Sequence, residues 1–369
     1  MVEWKKLGEV CEVLDSQRKP VSKGNRSQGE YPYYGANGIQ DYVDGYLFDG
    51  TYLLLGEDGS VINSDNSPML HWATGKIWVN NHAHILQEND NALLRYLYYT
   101  LQCTDVSDIV RGMPPKINQA NMRNIIIPIP SLEEQTRIVG ILDTFTSAID
   151  NLKEQIAERR KQYEYYCDQL LDLEGKPEQD IHCWGEFCKM EKGNGVQKVD
   201  FVEKGIGCIH YGQIYTHYGS YAYETNRFVS EETFAKAKKA SKGDVILTDT
   251  SENVEDICKS VAWLGDDDIA VSNHALIIKH NQNPKFLSYS TQTNSFFLRK
   301  RKVVVGVKVS GIKPDDLAKI KIFLPPLSEQ QRIVSILDTF EASIANLEAQ
   351  LELREKQYEY YRNKLLTFE

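Results

Sequence analysis

The sequence predicts an α+β fold: two mixed α/β globular domains separated by two long antiparallel coiled-coil helices, arranged as a pseudo-two-fold internal repeat. Three observations predict it. "RIVGILDTF" at residues 137–145 returns as "RIVSILDTF" at 332–340, and "KQYEYY" follows each copy at the same distance, at 161–166 and 356–361. Within each copy the apolar positions step by alternate fours and threes. The sequence before each copy differs, yet both stretches are rich in short β-branched and aromatic runs broken by Gly, Asn and Asp.

Residues 1–130 form the first domain. "YVDGYLFDGTYLLLG" reads as strands and turns, and "VNNHAHIL" at 79–86 as a further strand. The first long helix occupies 131–174. "PIPSLEEQ" places Ser131 three residues before Glu134, a capping box behind two prolines. Its seam runs through Ile138, Leu142, Phe145, Ile149, Leu152, Ile156, Tyr163, Tyr166 and Leu170, with a polar break at Arg159. A four-three alternation held this long is a coiled-coil seam, whereas a strand needs period two. Gly175 and Pro177 close it.

Residues 175–326 form the second domain, with faint echoes of the first. "LGEVCEV" (7–13) resembles "WGEFCKM" (184–190), "VNNHAHIL" resembles "VSNHALII" (271–278), and "DGTYLLLG" (49–56) resembles "KGDVILTD" (242–249). "SEETFAKAKKASKG" reads as one short helix and "VVVGVKV" as a strand. The second long helix occupies 327–369, with Ser328 and Gln331 as its cap and a seam at Ile333, Leu337, Phe340, Ile344, Leu347, Leu351, Tyr358, Tyr361 and Leu365. About 25 of 43 aligned positions are identical between the two helical segments, so the chain is a duplicated half-protein. Each helix should run about 60 Å at 1.5 Å per residue.

Composition narrows the function. The net charge is −10, and the two repeated segments hold −8 of it in 87 residues. The intervening domains are near neutral, which leaves room for a basic face on each. No stretch approaches the roughly 18 apolar residues of a membrane span, and the N-terminus lacks the apolar run of a signal peptide. The seven cysteines are scattered with no C-x-x-C pair. They read as reduced thiols of a cytoplasmic protein, with no metal site.

The strings "PIPSLEEQTRIVGILDTF" and "LPPLSEQQRIVSILDTF" closely resemble the helical spacers of specificity (S) subunits of Type I restriction–modification systems. The resemblance covers the whole chain, as two target-recognition domains each followed by a spacer helix. It implies a subunit that grips a bipartite, gapped, asymmetric site on double-stranded DNA. It also implies docking of two methyltransferase (M) subunits, with restriction (R) subunits reached through them. S-adenosylmethionine, ATP and Mg would serve those partners, and no cofactor is expected on this chain.

The residues agree that this chain is not an enzyme. Neither Pro-Pro pair, in "GMPPKI" and "FLPPLS", has the polar residue before and aromatic after that hold a flipped adenine. No Gly-rich turn fits a cofactor, and no P-loop is present. "PDDLAK" at 314–319 reads as a helix start. His82 and His84 alternate on a strand, but the twin has Leu276 in place of His84, so a metal site is not expected.

Phosphate neutralisation supplies DNA affinity and base-edge hydrogen bonds supply specificity. The first domain offers Arg18, Lys19, Lys23, Asn25 and Arg26, then Tyr33, Tyr34 and Asn37, in a stretch that reads equally as a solvated loop. Asn81, His82, Arg111 and Lys116 join them. The second offers Lys198, His210, Gln213, Tyr215, His217, Tyr218, Asn253, Asn273 and His274. The run Arg299, Lys300, Arg301 and Lys302, with Lys308, reads as four consecutive cations leading into a strand, or as an exposed charged turn. Two other readings stand beside this one: a recognition module of a non-Type I methylase, and a non-catalytic coiled-coil scaffold.

Overall fold

The computed structural model describes residues 2–306 and 309–368. They fall into two compact units, Met1–Lys153 with Ala349–Glu369, and Glu154–Glu348. The repeat becomes two helices of 40 residues, Leu132–Leu171 and Leu327–Leu366. Ser131 caps the first, its hydroxyl accepting the Glu134 N–H at 3.4 Å. Ser328 does not cap the second. The Pro326 carbonyl already accepts from Glu329 and Gln330, so the helix starts before the serine, in register with its twin.

The first unit is built on a six-stranded sheet in the order Cys11–Val13, Ala83–Glu88, Phe48–Gly56, Leu70–Val79, Gln28–Gly35, Gly38–Val43. Its pairings are antiparallel except Gln28–Gly35 on Leu70–Val79. Both faces are covered. Period-two alternation sends Leu53 and Leu55 into one core while Tyr52 and Leu54 enter another with Ala73, Ile77 and Ile85. The first core also takes the helix Leu94–Leu101, through Leu94, Leu97 and Leu101, and Ile138 and Leu142 of the first long helix. The start of the expected helix–helix seam is thus spent on the domain as well. Further along it meets the second long helix, with Phe145 and Tyr361 rings 5.3 Å apart and Lys153 bonded to Glu355 at 3.2 Å. The pairing runs antiparallel within this unit.

The second unit has two five-stranded sheets. One orders Cys188–Lys192, Ala275–His280, Val245–Thr248, Ser260–Trp263 and Tyr221–Ala222. The other orders Phe201–Val202, Arg227–Val229, Ile206–Ile209, Ile269–Val271 and Lys238–Ala240. Alternation again divides a central strand, Val245 and Leu247 to one core and Ile246 to another. The Tyr166 and Phe340 rings lie 5.2 Å apart and Arg160 pairs with Glu348 at 2.5 Å, antiparallel within this unit too.

Each domain is fastened to a long helix by the same three groups. Gln135 is fully buried; its carbonyl accepts the Leu93 N–H at 2.9 Å and its amide donates to Pro130 O at 3.0 Å. Gln330 repeats this on Asn283 N–H at 3.0 Å and Pro325 O at 2.7 Å. Asp143 accepts from Arg95 at 2.8 Å and from the Tyr99 hydroxyl at 2.5 Å. Asp338 accepts from Lys285 and the Tyr289 hydroxyl, both at 2.6 Å. Burial pushes both phenols far above their usual range, aided by the facing carboxylates, so both remain hydrogen-bond donors.

Three local expectations need correction. "SEETFAKAKKASKG" is helical only over Glu231–Lys236. Ala237 is extended (ψ 155°), Asn194 accepts the Lys238 N–H at 3.0 Å, and Lys238–Ala240 becomes a strand. The cation run does not lead into a strand. Arg299 and Lys300 end the helix Asn294–Lys300, whose start Thr293 caps and whose buried Phe296 fixes its inner face. Among the described residues of "VVVGVKV" there is only one bridge, Val305 to Gly311.

Candidate nucleic-acid interface

In the first unit four loops converge around Glu57, the residue that follows the strand Phe48–Gly56. The Glu57 N–H donates to His82 O at 2.8 Å, and Glu57 O accepts from Ile117 N at 2.8 Å. Its carboxylate takes Arg18 Nη1 at 2.6 Å and Lys116 Nζ at 3.0 Å. Burial raises the Glu57 carboxyl, but the hydrogen bonds from Arg18 and Lys116 outweigh it and hold the group below its ordinary range. Asp15 behaves alike: burial raises it, while hydrogen bonds from His84 and Ile85 N and the charges of His84 and Arg18 bring it down.

The expected residues of this domain divide by what they touch. Arg18 is a strut, bonded to Glu57 and to Ala83 O at 2.8 Å. Arg26 lies over the Tyr33 ring at 4.1 Å and pairs with Asp41 at 3.2 Å. Tyr33 and Tyr34 are buried, with the Tyr33 hydroxyl accepting from Val21 N at 2.9 Å. Lys19, Lys23, Asn25, Asn37, Asn81, His82, Arg111 and Lys116 are exposed. His82 pairs with Asp58, and Arg111 and Lys116 close one hairpin. Glu57 thus gathers Arg18, Asn81, His82, Arg111 and Lys116, and leaves Lys23, Asn25 and Asn37 on separate loops.

Asp15, Glu57 and His84 also place three potential metal-ligand atoms within 4.8 Å of one another. They are mutually satisfied. His84 Nδ1 faces Asp15 at 2.6 Å and Nε2 faces Ile117 O at 2.8 Å, while Arg18 holds the carboxylates. A metal ion at their centre would have to displace Arg18.

The second unit builds the same frame from different residues. Asp249 stands in the place of Glu57: its N–H donates to His274 O at 3.2 Å, its carbonyl accepts from Ile312 at 2.9 Å, and Lys192 pairs with its carboxylate at 3.1 Å. The Asn273–His274 turn matches Asn81–His82. His274 has φ 66°, the left-handed region, and its ring meets Tyr211 at 5.3 Å. Asn273 accepts from Gly195 N at 3.1 Å. His210 is buried as the cap of Tyr211–Thr216. Burial lowers its pKa, and the charges of Lys198 and His274 lower it further.

Gln213 and Tyr218 both bond Asn226, and the Tyr215 hydroxyl donates to Thr250 O. Lys198, His217, Asn253, His274, Arg301 and Lys302 are exposed. Arg299 leans on Ser295 at 3.2 Å. Lys300 is only 3% exposed and donates to Glu255 O at 2.8 Å and to Ile257 O. Lys308 lies outside the described residues. Sequence reasoning missed Glu57, Asp249 and Lys192. A lone acid after an apolar strand was the available signal, and it is common wherever strands end.

The chain matches the model described as "Type I restriction modification DNA specificity domain" over residues 1–159 and 184–354. A putative type I restriction enzyme specificity subunit of Haemophilus influenzae is 32% identical over 401 residues, which cover 100% of this chain and 96% of that protein. A type I restriction enzyme specificity subunit of Escherichia coli is 27% identical over 400 residues, covering 100% and 94%. The fold resembles that of the S subunit of the Type I restriction–modification system of M. genitalium, with TM-score 0.63, 14% identity, and coverage of 100% and 97%.

Proposed function

The chain belongs to the Type I restriction–modification DNA specificity family, and from that premise we propose that it reads a bipartite, gapped, asymmetric site on double-stranded DNA, one half-site per domain. Its role in this family is DNA target recognition and complex assembly. The observation that carries the finer reading is the contrast between fastening and frame. Gln135, Asp143 and Tyr99 recur as Gln330, Asp338 and Tyr289. The loops around Glu57 and Asp249 share a scaffold and the Asn-His turn (Asn81–His82, Asn273–His274), and differ in most of their other exposed side chains. A common mount with divergent readers suits two different half-sites.

In this reading residues 1–130 and 175–326 are the target-recognition domains, and 131–174 and 327–369 the spacers. Exposed Lys19, Lys23, Arg111 and Lys116 of the first domain, and Lys198, Arg301 and Lys302 of the second, meet phosphates. Asn25, Asn37, Asn81, His82, His217, Asn253 and His274 face base edges. Arg18, Arg26, Tyr33, Tyr34, His210, Gln213, Tyr215, Tyr218, Asn273, Arg299 and Lys300 position those loops. The outer faces of the long helices dock two methyltransferase subunits, which carry S-adenosylmethionine and reach restriction subunits with their ATP and Mg. The chain itself is non-catalytic and cytoplasmic. Replacing residues 1–130 by the corresponding domain of another member should change one half of the methylated motif and keep the other. A motif changed in both halves, or in neither, would overturn the assignment.

A further inference from the structure

Residues 111–116 form a short hairpin closed by two hydrogen bonds, Arg111 N to Lys116 O at 2.9 Å and Lys116 N to Arg111 O at 2.8 Å. Its tip reads Gly112, Met113, Pro114, Pro115. Gly112 sits at φ +82°, which a residue with a Cβ adopts only with strain. Met113 is 100% exposed. The hairpin is tied down at its base. Gly59 N–H donates to Pro115 O at 2.9 Å, Lys116 pairs with Glu57 at 3.0 Å, and Ile117, fully buried, anchors the returning chain on Glu57 O.

A scattered apolar residue on a surface needs no explanation. This one stands at the end of a fixed projection, between two cations, in the loop cluster of the candidate interface. Two prolines limit the backbone freedom that binding would cost. The second unit ties its chain back at the corresponding place with other residues. Val305 and Gly311 exchange backbone hydrogen bonds at 3.0 and 2.8 Å, and Ile312 returns to Asp249 O as Ile117 returns to Glu57 O. Exposed apolar side chains stand beside that bridge, Val305 at 62% and Val309 at 56%. An apolar end flanked by cations suits a polyanion with an apolar interior, which is a stacked duplex.

We propose that Met113 is a wedge that enters the duplex beside the first half-site and partly unstacks one base step, with Arg111 and Lys116 on the flanking phosphates. The proposal rests on the DNA-reading function and adds to it a deformation of the DNA. Unstacking makes recognition depend on how easily a step opens, so Met113 contributes specificity without a hydrogen bond to any base.

The test uses the full chain assembled with its methyltransferase subunits, on duplexes carrying the methylated motif with 2-aminopurine at successive positions. Apart from the methylated adenine, which the methyltransferase itself flips, wild type should raise 2-aminopurine fluorescence at one step of the first half-site. Met113→Ala should abolish that rise and weaken specific binding about tenfold, with the salt slope unchanged because no phosphate contact is lost. Met113→Leu should retain both. The side chain is fully exposed, so neither variant threatens folding. A rise that persists in Met113→Ala, or unchanged affinity, overturns the wedge and leaves DNA reading intact. Loss of methyltransferase assembly without DNA would assign the tip to a protein contact and overturn it too. A wild-type complex that does not discriminate the motif from a scrambled duplex overturns the DNA reading itself.

Discussion

Gln135→Leu should loosen the joint between the first domain and its long helix, and the size of the effect follows from the contacts. Leucine is close to glutamine in volume, so the change removes hydrogen bonds without leaving a large cavity. The Leu93 N–H loses its acceptor at 2.9 Å and Pro130 O its donor at 3.0 Å. Pro130 is buried and Leu93 half-buried. Two such groups left unsatisfied cost about 1–3 kcal/mol each when fully buried, and roughly 2–4 kcal/mol together here, given the partial access of water to Leu93. The helix Leu94–Leu101 loses the partner of its first turn and should open more often. Hydrogen exchange of its amides should quicken by about 30- to 1,000-fold, since each 1.4 kcal/mol is a factor of ten. The helix Pro284–Ser290, held by Gln330 in the other unit, should keep its protection. Gln330→Leu should reverse the pattern, and the double variant should show both losses independently. Exchange of Leu94–Leu101 within twofold of wild type in Gln135→Leu would refute the claim that this amide fastens the domain.

Leu142→Asp and Leu337→Asp each put a carboxylate into a core where the leucine is fully buried. Each should cost several kcal/mol and disrupt its own unit first, as read by limited proteolysis. Arg111→Ala should weaken binding to all DNA sequences alike and reduce the slope of log K against log salt by about one, in filter-binding titrations. His280 is lowered to about 4 by burial, so the unfolded chain binds the extra proton between about 6.5 and 4. Stability of the second unit should therefore fall as pH drops through that window, by urea melts, and His280→Asn should flatten the fall. A fragment of residues 1–174 should form a homodimer by light scattering. The first unit uses Tyr358, Leu365 and Leu366, and Tyr163, Leu170 and Leu171 of a second copy offer the same side chains at the same spacing. A stable monomer would contradict that.

The long helices were legible because a four-three apolar step sustained through Ile138, Leu142, Phe145 and Ile149 has one structural meaning. The sharing of that seam was not. Ile138 and Leu142 join the core of the domain, and nothing in their spacing distinguishes a domain from a helix as the covering partner. Gln135 stood in the most specific string of the sequence, but a glutamine between charged residues reads as solvent-facing. Only the fold brings the Leu93 N–H to it from 42 positions away.

The candidate site was legible as composition and less so as geometry. Lys300 stands in a run of four cations and reads like its neighbours, yet the helical step from Phe296 turns it inward onto Ile257 O. Arg18 and Arg26 pair with Glu57 and Asp41, acids too distant in sequence to be matched by spacing. Met113 is not legible in the sequence, because a lone methionine in a loop carries no pattern. Its meaning comes from the closed hairpin beneath it.

Bipartite reading by the two domains is decided by sequencing the methylated bases in a genome that carries this chain together with its methyltransferase subunits. The methylome should contain one motif in two unlike parts separated by a fixed run of unspecified bases. A single continuous motif, or a palindrome, would contradict it.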